Sequence, residues 1–281
     1  MASAIVTDSA SALTPAVCAK LDLELVQLRV MFEGRDLPDC SVDRASLYAA
    51  LRSGVPVTTS QPSPGDFARA YDAALAHGIP ATWSIHVGSA VSGTLNAARI
   101  AAAATKLDVR LVDTGLASMA EGLCVVAAVA AVRAAPGADV PAVVNEASAA
   151  QENVFFSLTP ELLATSGRGE VAVESAGMPV LALTAGAGVA EVGRARDLDE
   201  AIDTIARRVK SSRSLGVVAV GGGGTPEATE ELCRRVVALR GERRVVRYEV
   251  PASIAAHTGP TLGVIISSVD LPVWAIDALR G

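Results

Sequence analysis

Aromatic side chains are scarce in this sequence of 281 residues, which holds 4 Phe, 3 Tyr and 2 Trp. So few rings exclude an extended surface for stacking bases or sugars, and they predict an interior of Ala, Val, Leu and Ile. An excess of basic residues is also missing, because 24 Lys and Arg stand against 30 Asp and Glu, for a net charge of −6. This balance repels a polyphosphate, so nucleic acid is not expected as a partner.

Metal-binding patterns are absent from the 4 Cys and 3 His of the chain. The cysteines form no C-x-x-C pair and have no histidine at ligand spacing; they are Cys18, Cys40, Cys124 and Cys233. This arrangement excludes the usual zinc and redox motifs and predicts four reduced, buried thiols. No metal and no other cofactor is expected.

A signal peptide and a membrane span are missing too. The first residues carry no basic region, and Asp8 interrupts the apolar stretch that a signal peptide needs. The most apolar segment, residues 122–132, lies between Glu121 and Arg133 and is much shorter than the ~20 residues that cross a bilayer. We therefore expect a buried alanine-rich helix there and a cytoplasmic protein.

Hydrophobic residues make up 51% of the chain and charged residues 19%, which predicts a folded globular protein. At ~150 residues per domain, the length suggests about two domains. Apolar runs alternate with segments of helical composition, and this alternation predicts the α/β class. We expect two α/β subdomains, residues 1–152 and residues 153–281.

The order strand, polar loop, helix recurs along the chain. Strands are expected at residues 4–6, 23–32, 81–87, 109–112, 154–158, 180–184, 189–194, 217–220, 245–250 and 263–267. Capping residues and prolines predict helix starts at Thr14–Pro15, Ser41 or Asp43, Ser63–Pro64, Asp139 and Thr159–Pro160. Residues 58–62 are expected to form a polar loop.

Four consecutive glycines, residues 221–224, follow a predicted strand and precede a predicted helix, where a phosphate-binding loop would lie. The match is incomplete, because the third glycine of G-x-G-x-x-G falls on Pro226 and no Walker lysine follows. The pattern therefore favours a flexible connection between strand and helix. A nucleotide-binding regulator is kept as an alternative.

No G-x-S-x-G motif occurs, so a hydrolase would have to use one of the three histidines. We expect His77 to cap a helix end at the surface and His86 to be a hydrogen-bonded core residue. His257 stands in Ala-Ala-His-Thr-Gly-Pro, residues 255–260. This segment predicts a tight polar loop between two apolar segments.

Three segments rich in hydroxyl groups, residues 7–9, 58–60 and 89–94, are interpreted as loops at the ends of strands. In open α/β sheets ligands bind beyond the carboxyl ends of the strands. A helix that begins at residues 92–94 would also offer free N–H groups to an anion. Together the segments favour an uncharged anion site, suited to a carboxylate more than to a multiply charged phosphate.

Five segments, three of which overlap these hydroxyl-rich ones, resemble the motifs of a known family, the DegV family, in their order along the chain. They are Val-Thr-Asp-Ser-Ala-Ser at 6–11, Thr-Ser-Gln-Pro-Ser-Pro at 59–64, Val-Ser-Gly-Thr at 91–94, Ser-Gly-Arg at 166–168 and His-Thr-Gly-Pro at 257–260. Members of this family, among them the FakB fatty-acid carriers, have two α/β subdomains that hold one fatty acid between them. The resemblance implies the same tunnel here.

The resemblance also implies a lipid carrier without catalytic machinery, which presents the fatty-acid carboxylate to a separate kinase that makes the acyl phosphate. It implies a role in phospholipid metabolism and transient membrane contact for lipid exchange. The carboxylate would be held by Thr59, Ser60, Ser92, Gly93 and Thr94. Phosphoryl transfer would be supported at the tunnel mouth, outside the tunnel, by Arg168, His257 and Thr258.

A similarity to the related dihydroxyacetone kinases leaves an enzyme as the alternative. In those proteins a loop histidine captures a small ketone covalently, and His257 would take that role here. This alternative requires His257 to face a small polar pocket. An elongated apolar tunnel beside His257 would count against it.

Overall fold

The computed structural model describes residues 4–167, 177–214 and 216–280. Strands and helices alternate through most of these residues, which places the chain in the α/β class. The strands are β1 (Ala4–Asp8), β2 (Leu23–Val26), β3 (Arg29–Phe32), β4 (Arg35–Pro38), β5 (Thr58–Ser60), β6 (Ala81–His86), β7 (Asp108–Asp113), β8 (Gln151–Ser157), β9 (Met178–Thr184), β10 (Gly188–Ala195), β11 (Val218–Gly223), β12 (Val245–Glu249) and β13 (Thr261–Ser267).

Several helices begin where capping side chains and proline predict. The Thr14 and Ser63 side chains accept hydrogen bonds from backbone N–H groups of the first turn, and proline follows each of them. The helices are α1 (Pro15–Leu21), α2 (Arg44–Arg52), α3 (Pro64–Ala76), α4 (Thr94–Ala102), α5 (Met119–Ala134), α6 (Val140–Ala149), α7 (Pro160–Ser166), α8 (Leu198–Ser211), α9 (Pro226–Arg240), α10 (Ala252–Thr258) and α11 (Val273–Leu279).

The first sheet has parallel strands in the order β2-β1-β6-β7. Parallel neighbours need a crossover connection, which α1 supplies between β1 and β2 and α4 between β6 and β7. The carboxyl ends of β1 and β6, at Asp8 and His86, therefore meet at one edge of the sheet, where the two side chains are hydrogen-bonded.

The second sheet is mixed, with the order β10-β9-β8-β13-β11-β12. Its pairs are antiparallel except for β11 with β12. Apolar residues of α8 and α9, such as Ile205 and Leu232, pack with Val218 and Val264 on one face. The opposite face contributes Ala219 and Ile265 to the cluster around α5. Helices thus cover both faces of this sheet.

A third, small sheet has the order β4-β3-β5, and it corrects two sequence predictions. The strand expected at residues 23–32 is two strands, β2 in the first sheet and β3 in the small sheet, because the chain leaves the first sheet after Val26. There the backbone N–H of Leu28 donates to Ser9 Oγ at 2.9 Å. Residues 58–60, expected in a loop, form β5 and pair antiparallel with β3.

Helix α5 lies in the centre of the molecule. All its residues from Met119 to Val129 are buried, and they pack with Ile5 and Ile85 of the first sheet and with Ala219 and Ile265 of the second. The buried alanine-rich helix expected at residues 122–132 is therefore present. Across the described residues, no helix has both the length and the apolar character that crossing a membrane requires.

Two further details differ from the sequence predictions, the exposure of Cys40 and the structure around His257. Cys40 is exposed, whereas Cys18, Cys124 and Cys233 are buried. Residues 255–260 were expected to form a loop around His257, but residues 252–258 form α10, whose Ser253 N–H donates to Asp39 of a distant segment. The proposed division between residues 152 and 153 falls inside β8, which begins at Gln151, and it stays a prediction.

Candidate functional site

A cavity of about 550 Å³ lies between the two halves of the chain. This volume is within the range of pockets that bind small ligands. Both halves contribute to a wall that is mainly apolar; its apolar side chains include Ala10, Leu28, Val87, Val91, Ala117, Phe155, Leu183, Val250, Ile254, Leu262 and Ile265. The cavity therefore suits an apolar ligand.

Two glycines of the second sheet leave space for neighbouring residues where this sheet borders the cavity. Gly221 of β11 pairs with Gly263 of β13, and both line the cavity. A Cβ on Gly221 would overlap the Tyr248 ring, and one on Gly263 would overlap Phe155. These aromatic side chains thus occupy the space that side chains at 221 and 263 would need.

The same observation corrects the prediction for the four glycines. Residues 221–223 belong to strand β11 and are buried, and only Gly224, with φ of +71°, forms the connection to α9. Side chains of Tyr248, Thr229 and Tyr48 fill the space beside Gly221, Gly222 and Gly223. The segment is therefore neither an open phosphate-binding loop nor a flexible connection.

Hydroxyl, amide and imidazole groups border the cavity next to one another, and we call this group the polar cluster. Its members all line the cavity and come from three segments of the chain; they are Thr59, Ser60, Gln61, Ser92, Gly93, His257 and Thr258. Most residues predicted to hold a carboxylate are therefore brought together. Arg168, predicted beside them, lies outside the described residues.

Thr59 and His257 of the polar cluster contact each other. Thr59 Oγ1 and His257 Nε2 are 2.8 Å apart, although the two residues are separated by 198 positions in the chain. Thr59 is held by the pairing of β5 with Val30 of β3, and His257 lies in the last turn of α10. His257 thus borders the cavity, and its place at the tunnel mouth stays a prediction.

Ser92 and Gly93 form the second part of the polar cluster, at the start of α4. Ser92 Oγ is 2.8 Å from Thr94 Oγ1 and accepts the Thr94 N–H at 3.2 Å. Thr94 itself is buried and does not border the cavity. A Cβ at position 93 would overlap the Gln61 side chain, so glycine allows Gln61 to lie against this turn.

Electrostatically the cavity is almost neutral. Its described lining residues include no Lys, Arg, Asp or Glu. Burial raises the pKa of the Tyr248 phenol to about 12, while its contact with Ser118 lowers it slightly, so this lining group stays neutral at physiological pH. An anion bound here would be held by hydrogen bonds and helix N–H groups instead of a salt bridge.

The third hydroxyl-rich segment, residues 7–9, does not face the cavity. Thr7, Asp8 and Ser9 are buried. The Asp8 carboxylate accepts hydrogen bonds from the backbone N–H groups of Ala10 and Val87, both of which border the cavity. This segment therefore does not line the cavity itself, but its hydrogen bonds hold two residues of the cavity wall in place.

Sequence reasoning missed Gln61, Ser253 and Asn153 among the polar residues that line the cavity. Gln61 stands within the Thr-Ser-Gln-Pro-Ser-Pro segment, so that pattern could have indicated it. Ser253 and Asn153 follow no motif, and they reach the cavity only because α10 and β8 are packed beside it. No signal in the sequence could have identified them.

Comparison with known proteins gives the family of this chain. A family model described as "Uncharacterised protein, DegV family" matches residues 2–269. A DegV domain-containing protein of Streptomyces coelicolor is 32% identical over 277 residues, covering 94% of this chain and 98% of the relative. A DegV domain-containing protein of Deinococcus radiodurans is also 32% identical over 277 residues, covering 92% and 96%.

Solved structures agree with the sequence comparison. A DegV family protein from Thermus thermophilus, described by its fatty-acid binding, is 29% identical and superposes with a TM-score of 0.85, covering 96% of this chain and all of the other. DegV of Bacillus subtilis, described as a fatty-acid-binding protein, is 22% identical with a TM-score of 0.82, covering 94% and 98%, and it shows the same fold. The chain described here belongs to the DegV family.

Proposed function

We propose that this protein binds one long-chain fatty acid, with the acyl chain in the cavity and the carboxylate at the polar cluster. The observation that carries the proposal is the composition of the wall. It is mainly apolar, its described residues include no formal charge from Lys, Arg, Asp or Glu, and its hydroxyl groups lie beside a helix start. A long apolar ligand with one small anionic group matches these three properties.

The acyl chain accounts for most of the binding free energy. A sixteen-carbon chain buries ~15 methylenes, and at ~0.8 kcal/mol each the gross transfer free energy is on the order of 12 kcal/mol. The carboxylate must still be satisfied, because an isolated buried charge is costly. Thr59, Ser60, Ser92 and the Gly93–Thr94 turn would do this by hydrogen bonding, with Thr94 acting through Ser92.

Two relatives support the ligand class. The Thermus thermophilus and Bacillus subtilis DegV proteins are both described as binding fatty acids. The first is 29% identical to this chain over nearly its whole length. The alternative of a small-ketone enzyme has less support, because His257 borders a largely apolar cavity and not a small polar pocket.

We further propose that the protein is a carrier and not an enzyme. A carboxylate held by hydroxyl groups remains nucleophilic, because no salt bridge fixes its charge. One of its oxygens could attack the terminal phosphorus of ATP on a separate kinase, giving an acyl phosphate and ADP. His257 and Thr258 would then stand beside the incoming phosphoryl group, and Arg168 would join them. Such a carrier would work in the cytoplasm in phospholipid metabolism, and it would exchange lipid through brief membrane contacts.

Ligand identity is tested by lipid extraction and native mass spectrometry of the purified protein, which should find one fatty acid per chain. After delipidation, titration with palmitate should restore an occupancy of one fatty acid per chain. The double variant Thr59→Ala with Ser92→Ala should bind palmitate ~10- to 100-fold more weakly, at about 1 kcal/mol for each lost hydrogen bond. Ser89→Ala is the control, because Ser89 is exposed and does not line the cavity.

Unchanged palmitate affinity in the double variant would show that the carboxylate does not bind at the polar cluster. A protein that binds no fatty acid would refute the proposal as a whole.

The carrier role needs a second experiment. Protein loaded with radiolabelled palmitate is incubated with ATP, Mg²⁺ and soluble extract of the source organism, and hydroxylamine traps acyl phosphate as the hydroxamate. Formation of hydroxamate from free palmitate alone, and not from the loaded protein, would contradict presentation to a kinase.

A further inference from the structure

Asp39 is a buried carboxylate outside the polar cluster that contacts three separate segments. Its side chain is 1% exposed. It accepts hydrogen bonds from Ser9 Oγ at 3.0 Å, from the Ser253 N–H at 3.2 Å and from Ser253 Oγ. Arg44 is the nearest cation, with Nη1 at 3.7 Å from Asp39 Oδ1. No cavity-lining role accounts for a carboxylate in this position.

The contact with Ser253 supplies a cap that α10 lacks. The residue before this helix is Pro251, whose side chain cannot accept a hydrogen bond, and α10 has no side-chain cap of its own. Ser253 is the second residue of α10, which is where a capping side chain normally accepts an N–H. Asp39 therefore caps α10 from a distant segment, and its negative charge lies at the positive end of the helix dipole.

The other end of α10 carries His257, four residues after Ser253. Residues four apart lie on the same face of a helix, and both Ser253 and His257 border the cavity. At this end His257 Nε2 contacts Thr59 Oγ1. Helix α10 is thus attached at its first turn through Asp39 and at its last turn through Thr59.

Both attachment points belong to one structural block, the small sheet. Thr59 lies on β5, which pairs with β3. Asp39 directly follows β4, which pairs with the opposite side of β3, and the Asp39 N–H donates to Leu28 O at 2.9 Å. The distance between the two attachment points is therefore fixed by the sheet, and it sets where α10 places the imidazole.

We propose that Asp39 is a positioning residue for the polar cluster: by holding the first turn of α10 against the small sheet, it fixes the His257 imidazole beside Thr59 at the position of the ligand head group. The ligand part of this inference rests on the proposed function, whereas the placement of His257 does not. Burial raises the pKa of Asp39, and the hydrogen bonds from Ser253, with the Arg44 charge, oppose that rise.

The test uses Asp39→Asn in the full chain. The amide keeps the size of the side chain and one acceptor for the Ser253 N–H, but its NH₂ group cannot accept the hydroxyl hydrogens of Ser9 and Ser253. Asp36→Asn is the matched control, because Asp36 lies three residues earlier on β4 with an exposed side chain. Imidazole signals are recorded by NMR on delipidated protein, where His257 is one of only 3 histidines.

We expect Asp39→Asn to shift the imidazole signals of His257, assigned with His257→Gln, and to leave those of His77 unchanged. Palmitate affinity should fall about tenfold, as for loss of one hydrogen bond of ordinary strength. Asp36→Asn should change neither. If Asp39→Asn does not fold, Ser253→Ala gives the same NMR test of the His257 position, because it removes the hydroxyl contact and keeps the backbone one; its palmitate affinity is not used, since Ser253 itself borders the cavity.

A lower melting temperature with unchanged His257 signals would overturn the proposal and leave Asp39 a purely structural cap. Shifted His257 signals with unchanged palmitate affinity would overturn the link to the head group. If the parent protein binds no palmitate at all, the proposed function fails, and the NMR comparison still decides whether Asp39 positions His257.

Discussion

Two histidines of this protein have similar partners and opposite surroundings. His86 Nδ1 lies 3.0 Å from Asp8 Oδ2 and its Nε2 lies 2.6 Å from Ser84 Oγ, so both ring nitrogens are occupied. The ring is 0% exposed. His257 Nε2 also meets a hydroxyl, that of Thr59, but His257 is partly exposed and borders the cavity.

The difference shows that access to the cavity, more than the identity of the partners, separates a structural histidine from a candidate functional one. The carboxylate, imidazole and hydroxyl of Asp8, His86 and Ser84 resemble the order of groups in a hydrolase triad. Ser84 Oγ is, however, 2.8 Å from Tyr71 OH and completely buried. No substrate can reach it, so this group stabilises the first sheet and the cavity wall.

The largest effect should follow from breaking the buried group with Asp8→Ala. Three donors would lose their acceptor, the N–H groups of Ala10 and Val87 and the His86 ring. At about 1–3 kcal/mol for each buried donor left unpaired, we expect the free energy of unfolding to fall by ~3 kcal/mol or more. Urea denaturation followed by circular dichroism measures this loss.

Asp113→Ala is the control for Asp8→Ala. Asp113 ends the neighbouring strand β7 and also accepts backbone hydrogen bonds, from Ser89 and Gly115, but it is exposed. Water can replace these bonds, so its loss should cost about 1 kcal/mol. Equal losses of stability in the two variants would show that burial does not determine how much Asp8 and Asp113 each contribute to the free energy of unfolding.

A smaller effect, of opposite sign, is expected from Glu121→Gln. Both Glu121 carboxyl oxygens are buried, and none of the described residues donates a hydrogen bond to them. Burial, and then the negative charges of Asp8 and Asp113, raise the pKa of Glu121 well above 4.5. The folded protein therefore keeps a proton that the unfolded chain has released, and this group makes stability fall as pH rises above about 4.5 toward the raised pKa.

Glutamine is neutral at every pH, so Glu121→Gln should be more stable than the parent by about 1 kcal/mol at pH 8, with the gain shrinking toward pH 5. Urea unfolding at pH 5, 6, 7 and 8 measures the gain. Glu146→Gln on α6, an exposed position, should show none. A gain that is independent of pH would mean that the Glu121 charge is not its cause.

The smallest effect on stability is expected from His257→Ala. Its ring is partly exposed, so the free energy of unfolding should change by less than ~1 kcal/mol. Palmitate binding should weaken by about tenfold, because the Thr59 hydroxyl, which we propose holds the carboxylate, loses the imidazole that positions it. Isothermal titration and urea unfolding on one preparation measure both. His77→Ala is the control, since the exposed His77 ring is hydrogen-bonded to Ala73 O at the end of α3, away from the cavity-lining residues. A large loss of stability without weaker palmitate binding would show that His257, like His86, is a structural residue.

Local signals in the sequence predicted most of the secondary structure. Asp139 and Ser63 start their helices by accepting N–H groups three residues away. His77 lies at the exposed end of α3, as expected, and His86 is a hydrogen-bonded core residue. The sequence could not predict that residues 23–32 divide between two sheets, because both parts have the same apolar composition and differ only in the strand they pair with.

The candidate site was predictable in its residue types but not in its assembly. Hydroxyl-rich segments indicated Thr59 and Ser92, and both border the cavity. The same signal at residues 7–9 was misleading, because a buried strand end and an open one have similar sequences. Whether such a segment faces a ligand depends on what packs over it.

The sequence by itself determined the α/β class, several of the helix starts and the apolar centre of α5, because each depends on neighbours within a few residues. Only the tertiary structure decided which groups meet. Thr59 and His257 are 198 positions apart, and Asp39 and Ser253 are 214 apart. Such pairs form because strand pairing and helix packing bring distant segments together, and the free energy that fixes them comes from the burial of the whole core and not from the residues in contact.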